Sequence, residues 1–191
     1  MNKKLMGCLV AGGVVLLMVL FVGGCAAGIY NRIITQNEGI DASWAQVENV
    51  LQRRGDLIPN LVQTVKGFAA QEKEIFTNVA EARGRLAGAT TPREAAAANA
   101  GMTSALGRLL AIAEAYPQLK SNENFIRLQD ELAGSENRIA VERRRYNEAV
   151  RAYNTSIKRF PARFIAGMFN FEEREYFEAE EERMQVPEVE F

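Results

Sequence analysis

Histidine is missing altogether from the 191 residues of this chain. Its absence removes the usual general base near neutral pH, the Ser-His and Cys-His nucleophile pairs, and the commonest zinc ligand. Cysteine is nearly missing as well: Cys8 and Cys25 both lie in an apolar N-terminal stretch, leaving the remainder without a disulfide or a thiolate metal site. Neither sign of charge is in excess, with 23 Lys and Arg against 24 Asp and Glu, a net charge of -1 and a pI near 5.8. That balance argues against a nucleic-acid partner and against an acidic, solvated, disordered chain. The sequence has no Gly-rich phosphate loop, nucleophile elbow or aromatic-basic platform. The expectation is therefore a protein that is not an enzyme, with no catalytic, cofactor-binding or metal-ligating residue.

What is present begins with Met1-Asn2-Lys3-Lys4 and an uncharged run from Leu5 to Asn31. Roughly 25 helical residues span about 38 Å, enough to cross a hydrocarbon core of about 30 Å. The run predicts a single-pass transmembrane anchor over residues 1–30, touching membrane lipid through residues 5–30, and it is too long for a cleaved secretory signal. Val22-Gly23-Gly24-Cys25 loosely resembles a bacterial lipoprotein signal but lacks its leading leucine, so lipid anchoring at Cys25 is the alternative. Lys3 and Lys4 precede the run, and Arg32, Glu38 and Asp41 follow it, so the positive-inside rule favours a cytoplasmic N-terminus and an exported domain.

The helical pattern continues beyond the run through Tyr30, Ile33, Ile40, Trp44, Val47 and Leu51. Gly55, Asp56 and Pro59 then predict a tight turn or a kink, since proline cannot donate to the preceding turn. A second stripe runs over Leu61, Val65, Phe68, Ile75, Val79, Ala82 and Leu86, with Glu72 on it. Thr91-Pro92-Arg93-Glu94 reads as a capping box opening a third helix that ends at Pro117. Ser121 or Asn122 caps the longest helix, extended to Phe160, whose stripe is Phe125, Leu128, Leu132, Ser135, Ile139, Glu142, Tyr146, Ala149, Tyr153, Ile157 and Phe160. Residues 164–191, rich in aromatic and acidic side chains, predict a short helix or two over one end of the bundle, or else a docking surface on another subunit or at the membrane interface. Pro187 to Phe191 form a loose end. The fold class that follows is all-α: an N-terminal transmembrane helix running into an elongated antiparallel bundle of about four long helices, with the bundle over residues 31–163.

Six polar residues fall near core stripes: Asn60, Glu72, Arg83, Glu142, Asn147 and Asn154. Glu72 and Glu142 would suit a di-iron bundle only with a Glu-x-x-His spacing, which a chain without histidine lacks. These residues read instead as polar layers that set helix register, with Arg83 as counter-ion. Arg54-Gly55-Asp56 spells an adhesion tripeptide that the turn and proline already explain, and Arg143-Arg144-Arg145 beside Glu142 and Glu148 reads as a solvated, salt-bridged face.

The blocks Tyr30-Asn31, Trp44, Arg53-Arg54, Asp56 to Val62, Val65-Lys66-Gly67, Glu72 and Ala82-Arg83 resemble the LemA family of bacterial membrane proteins. Tyr116-Pro117-Gln118-Leu119, Phe125, Leu128, Leu132, Glu136, Arg144, Tyr146-Asn147, Tyr153-Asn154, Phe160-Pro161 and Tyr176-Phe177 agree independently. The resemblance implies a transmembrane helix followed by a long helical bundle in the bacterial inner, cytoplasmic membrane. It also implies a bulk domain on the cytoplasmic side, opposite to the charge count, and genes lying beside those of membrane proteases or other envelope proteins. The function expected is a structural, scaffolding or self-assembling one, with the chain a homo-oligomer of coiled-coil character; the alternative is an accessory or regulatory partner of a membrane protease or envelope stress system.

Overall fold

The computed structural model describes residues 3–178. Among the described residues there are six helices and no strand: α1 (Lys3–Lys66), α2 (Lys73–Gly88), α3 (Pro92–Ala115), α4 (Pro117–Lys120), α5 (Glu123–Lys158) and α6 (Ala162–Met168). Four are long, in number as the stripes predict, and two are short, of which α4 has no counterpart among the predicted elements. The described residues divide into two compact units, 3–40 with 149–174, and 41–148 with 175–178.

The second unit holds the main core. Ile58, Leu61 and Val65 of α1 meet Phe76 and Val79 of α2, Met102, Leu106 and Leu109 of α3, Leu119 of α4, and Phe125, Leu128 and Leu132 of α5. The connections are short, so successive helices fold back on one another. Thr91 and Glu94 form the predicted capping box, Glu94 N donating to Thr91 Oγ1 and Thr91 N to Glu94 Oε2, both at 3.2 Å. At the start of α5 it is Asn122, not Ser121, whose Oδ1 accepts from Phe125 N at 3.1 Å.

The expected break at Gly55 to Pro59 does not occur: α1 runs through Pro59 and ends only at Lys66, where Phe68 N and Ala69 N both turn back to Val65 O, at 3.0 and 2.9 Å. Two facts explain the continuity. Pro59 leaves the carbonyl of Gly55 without its helical N–H, and Arg83 Nε on α2 donates to that oxygen at 3.1 Å. The buried stripe also keeps phase across the proline, with Leu51, Arg54, Ile58, Leu61 and Val65 all buried, and packing of that face outweighs a penalty of about 3 kcal/mol. The second stripe is accordingly split, with Leu61 and Val65 on α1, Phe68 in the turn, and on α2 Phe76 buried while Ile75 packs against the core only in part.

In the first unit, α1 is long and apolar enough to cross a membrane. Val14 to Val22 form nine consecutive large apolar side chains, each 56–72% exposed. Each is worth on the order of 1.5–3 kcal/mol when buried, so water is the wrong solvent for this surface and lipid the right one. Further along, Ile33 and Ile40 are buried, as are Val150, Tyr153 and Ile157 on α5. Ser156 Oγ bonds Gln36 Oε1 at 2.6 Å, which fixes the register of the two antiparallel stretches.

Helix α5 ends at Lys158, two residues short of the expected Phe160, which is 82% exposed and so drops off the predicted stripe. One short helix follows, α6, closed by Phe171 N donating to Ala166 O at 2.9 Å. Asn170 takes a left-handed conformation (φ 53°), which asparagine tolerates better than most residues, and turns the chain back. From Phe171 to Glu178 the chain is not helical. The expected loose end at Pro187 to Phe191 lies outside the described residues.

Candidate functional site

The polar centre of the second unit is built on Arg54. Ile33, Ile40, Val47, Arg54 and Leu61 recur every seven residues along α1, so an arginine occupies a position that the repeat fills elsewhere with Ile, Val or Leu. It is 4% exposed. Nη1 donates to Asn99 Oδ1 at 2.6 Å and lies 2.5 Å from Glu136 Oε2 of α5, while Nη2 donates to Thr103 Oγ1 at 3.0 Å. Asn99 and Thr103 stand one turn apart on α3, and Thr103 Oγ1 donates in turn to Asn99 O at 3.0 Å. Arg54 Nε is buried without a hydrogen-bond partner.

Burial pushes the Arg54 guanidinium below its ordinary value, and the Glu136 carboxylate opposes that shift. A guanidinium has donors only and stays protonated in proteins, so it can neither take a proton nor ligate a cation. The arrangement is chemically a fixed positive charge, neutralised in place and bonded to two other helices. It sets the register of α1 against α3 and α5, because sliding any one of them by a turn would strand the charge.

A second polar device uses a repeated dipeptide. In the first unit, Asn154 clasps the peptide unit of Arg174 on both sides, its Nδ2 donating to Arg174 O and its Oδ1 accepting from Arg174 N, each at 2.9 Å, while Tyr153 Oη donates to Glu172 O at 3.0 Å. In the second unit, Asn147 clasps Phe177 in the same way, at 3.2 and 2.8 Å, and Tyr146 Oη donates to Glu175 O at 2.8 Å. The two Tyr-Asn pairs are seven residues apart in the sequence, and the clasped residues three. Phe177 is buried beside Trp44, which also packs on Tyr146 at a ring separation of 5.4 Å. Burial pushes the Tyr153 hydroxyl above its ordinary range; Arg174 opposes the shift and Glu172 adds to it.

Of the six polar residues singled out from sequence, Asn147 and Asn154 carry these clasps, and Arg83 serves the Gly55 carbonyl rather than a carboxylate. Glu142 is half-buried and pairs with Arg145 at 2.7 Å, part of the salt-bridged face expected there. Glu72 stands at the N-cap of α2 without a cap bond, and Asn60 is exposed, its carbonyl accepting from Thr64 Oγ1. No group of three or more His, Cys, Asp or Glu able to hold a metal occurs among the described residues. Arg54, Asn99 and Glu136 escaped sequence reasoning as a cluster, although the seven-residue spacing from Val47 to Arg54 to Leu61 carried the signal.

The sequence matches the profile of the LemA family over residues 43–191. Similar proteins include Magnetosome protein MamQ 2 and Magnetosome protein MamQ 1 of Paramagnetospirillum magneticum, each 31% identical over 175 residues, covering 78% of this chain and 64% of the relative. Magnetosome protein MamQ of Magnetospirillum gryphiswaldense is 30% identical over 174 residues with the same coverage. The chain thus spans less than two thirds of the length of the curated relatives that it matches.

Proposed function

This chain belongs to the LemA family, and from that membership we propose that it is a membrane-anchored helical-bundle protein of the bacterial envelope with a structural, scaffolding or self-assembling role rather than a catalytic one. The observation that carries the reading is α1 itself: one unbroken helix holds both the apolar run and the heptad stripe that includes Arg54. An anchor continuous with a packed stripe suits lateral association, in which neighbouring copies in one membrane lay long helices side by side. The relatives are named for a structure to which they belong and not for a reaction, which supports reading this chain as a component.

Cross-linking in membranes, together with mass measurement in mild detergent, tests the proposal. Oligomers of the chain with itself are expected, and a strictly monomeric protein would remove the self-assembling role. Affinity purification from the same membranes separates the regulatory alternative, which requires a stoichiometric foreign partner such as a membrane protease.

A further inference from the structure

The first unit carries an apolar patch that its own helices leave largely exposed. Phe160, Phe164, Met168 and Phe169 are 82, 68, 73 and 53% exposed. The first three recur every four residues across the α5–α6 junction, and Phe160 meets Phe164 edge-on at 5.9 Å. Exposed Arg159 and Arg163 flank them. Exposed apolar side chains this close in the chain, two of them in ring contact, call for a partner.

Register identifies that partner. Ser156 is level with Gln36, and the two helical stretches run in opposite directions, so Phe160, two residues past the end of α5, falls near the level of Arg32, the first charge after the uncharged run. Tyr30 near the end of that run packs its ring on Phe169 at 4.7 Å and on Phe171 at 5.7 Å. The patch therefore opens where hydrocarbon gives way to headgroups, the depth at which amphipathic aromatic rings and snorkelling basic side chains are favoured. We propose that α6 is a membrane-interface element: Phe160, Phe164 and Met168 insert beside the exit of α1 into the bilayer, and Arg159 and Arg163 meet anionic headgroups. A second copy of the chain is disfavoured as the occupant because the patch is continuous with a surface that already faces lipid. The inference rests on α1 being the anchor and is independent of self-association.

The test uses the full chain in vesicles of phosphatidylcholine and phosphatidylglycerol, with phosphatidylcholine brominated at shallow or deep acyl positions. The parent, whose only tryptophan is Trp44, provides the baseline. Phe164→Trp and, as a second variant against misfolding, Met168→Trp are each expected to be blue-shifted and quenched by shallow bromines at least roughly twofold over the parent. Ala152→Trp, exposed on α5 about 12 Å farther from the run, should stay at the baseline. Val19→Trp should be quenched by deep bromines, and its failure to respond would overturn the anchor and this inference together. With Val19→Trp quenched, unquenched α6 variants would overturn the inference alone: a red-shifted emission would leave the patch in water, and a blue-shifted one would assign it to protein.

Discussion

Replacing Arg54 discriminates between a register-setting layer and an incidental surface pair. At 2.5 Å the Arg54–Glu136 attraction is about 7 kcal/mol for an effective dielectric of 20, but this gross figure is offset by the hydration that both ions give up. Glu136 is 46% exposed, so solvent screens the pair further, and a net coupling of about 1–3 kcal/mol is expected. Arg54→Ala also deletes the packed stem and leaves Asn99 Oδ1 without its donor, a total cost of about 3–5 kcal/mol. That is a large share of the roughly 5–15 kcal/mol that holds a domain together. Arg54→Met restores the packed stem but leaves Asn99 Oδ1 and Glu136 without their donor, so it should recover only about 1–2 kcal/mol of the Arg54→Ala loss, while the freedom of α1 to slip shows as heterogeneous cross-links from α1 to α3. The assay is denaturant unfolding of the full chain in mild detergent, followed by helical circular dichroism and by Trp44 emission, with Glu136→Gln completing a double-mutant cycle. An Arg54→Ala cost below about 1 kcal/mol, or a coupling of the Arg54 and Glu136 replacements near zero, would refute the layer.

Three further expectations concern the other polar contacts. Arg83→Gln should cost about 0.5–1.5 kcal/mol in the parent and close to nothing in a Pro59→Ala background, because alanine restores the helical N–H for Gly55 O; equal costs in both would break the link between proline and arginine. Asn154→Ala removes two bonds to one peptide unit and should speed amide hydrogen exchange at Arg174 by roughly ten- to a hundredfold, corresponding to about 1–3 kcal/mol, with no comparable change in the α2–α3 amides. For Tyr153 the folded pKa is raised, so its contribution is fully present below the ordinary tyrosine value of 10.0 and is lost as pH rises through the folded value. Alkaline titration of the parent should therefore loosen residues 172–174 above that ordinary value, and Tyr153→Phe should remove this pH dependence; an unchanged profile in the variant would refute it.

The four long helices were readable because their apolar residues recur at helical spacing, and the Thr91 and Glu94 cap because its chemistry is local. Pro59 misled for a physical reason: the donor that satisfies the freed carbonyl comes from Arg83, 28 residues beyond Gly55, and no local rule brings them together. That misplaced break also hid Arg54, since a stripe thought to stop at Leu51 has no place for a residue three positions further on. The Tyr-Asn repeat was visible but its partner was not. The clasped segment has no periodicity of its own, and the bonds it receives go to its main chain.

Main-chain recognition has a consequence for how the C-terminal segment tolerates change. Asn147 and Asn154 hold peptide groups that every residue except proline supplies, so Arg174 can be exchanged widely without disturbing its clasp. Spacing has no such latitude. One residue inserted between Arg174 and Phe177 would put a different peptide unit opposite Asn147 and take Phe177 away from Trp44. Related chains should therefore keep the number of residues between the two clasped positions constant, so a gap in an alignment at this point would mark a chain in which the segment has come away from its helix.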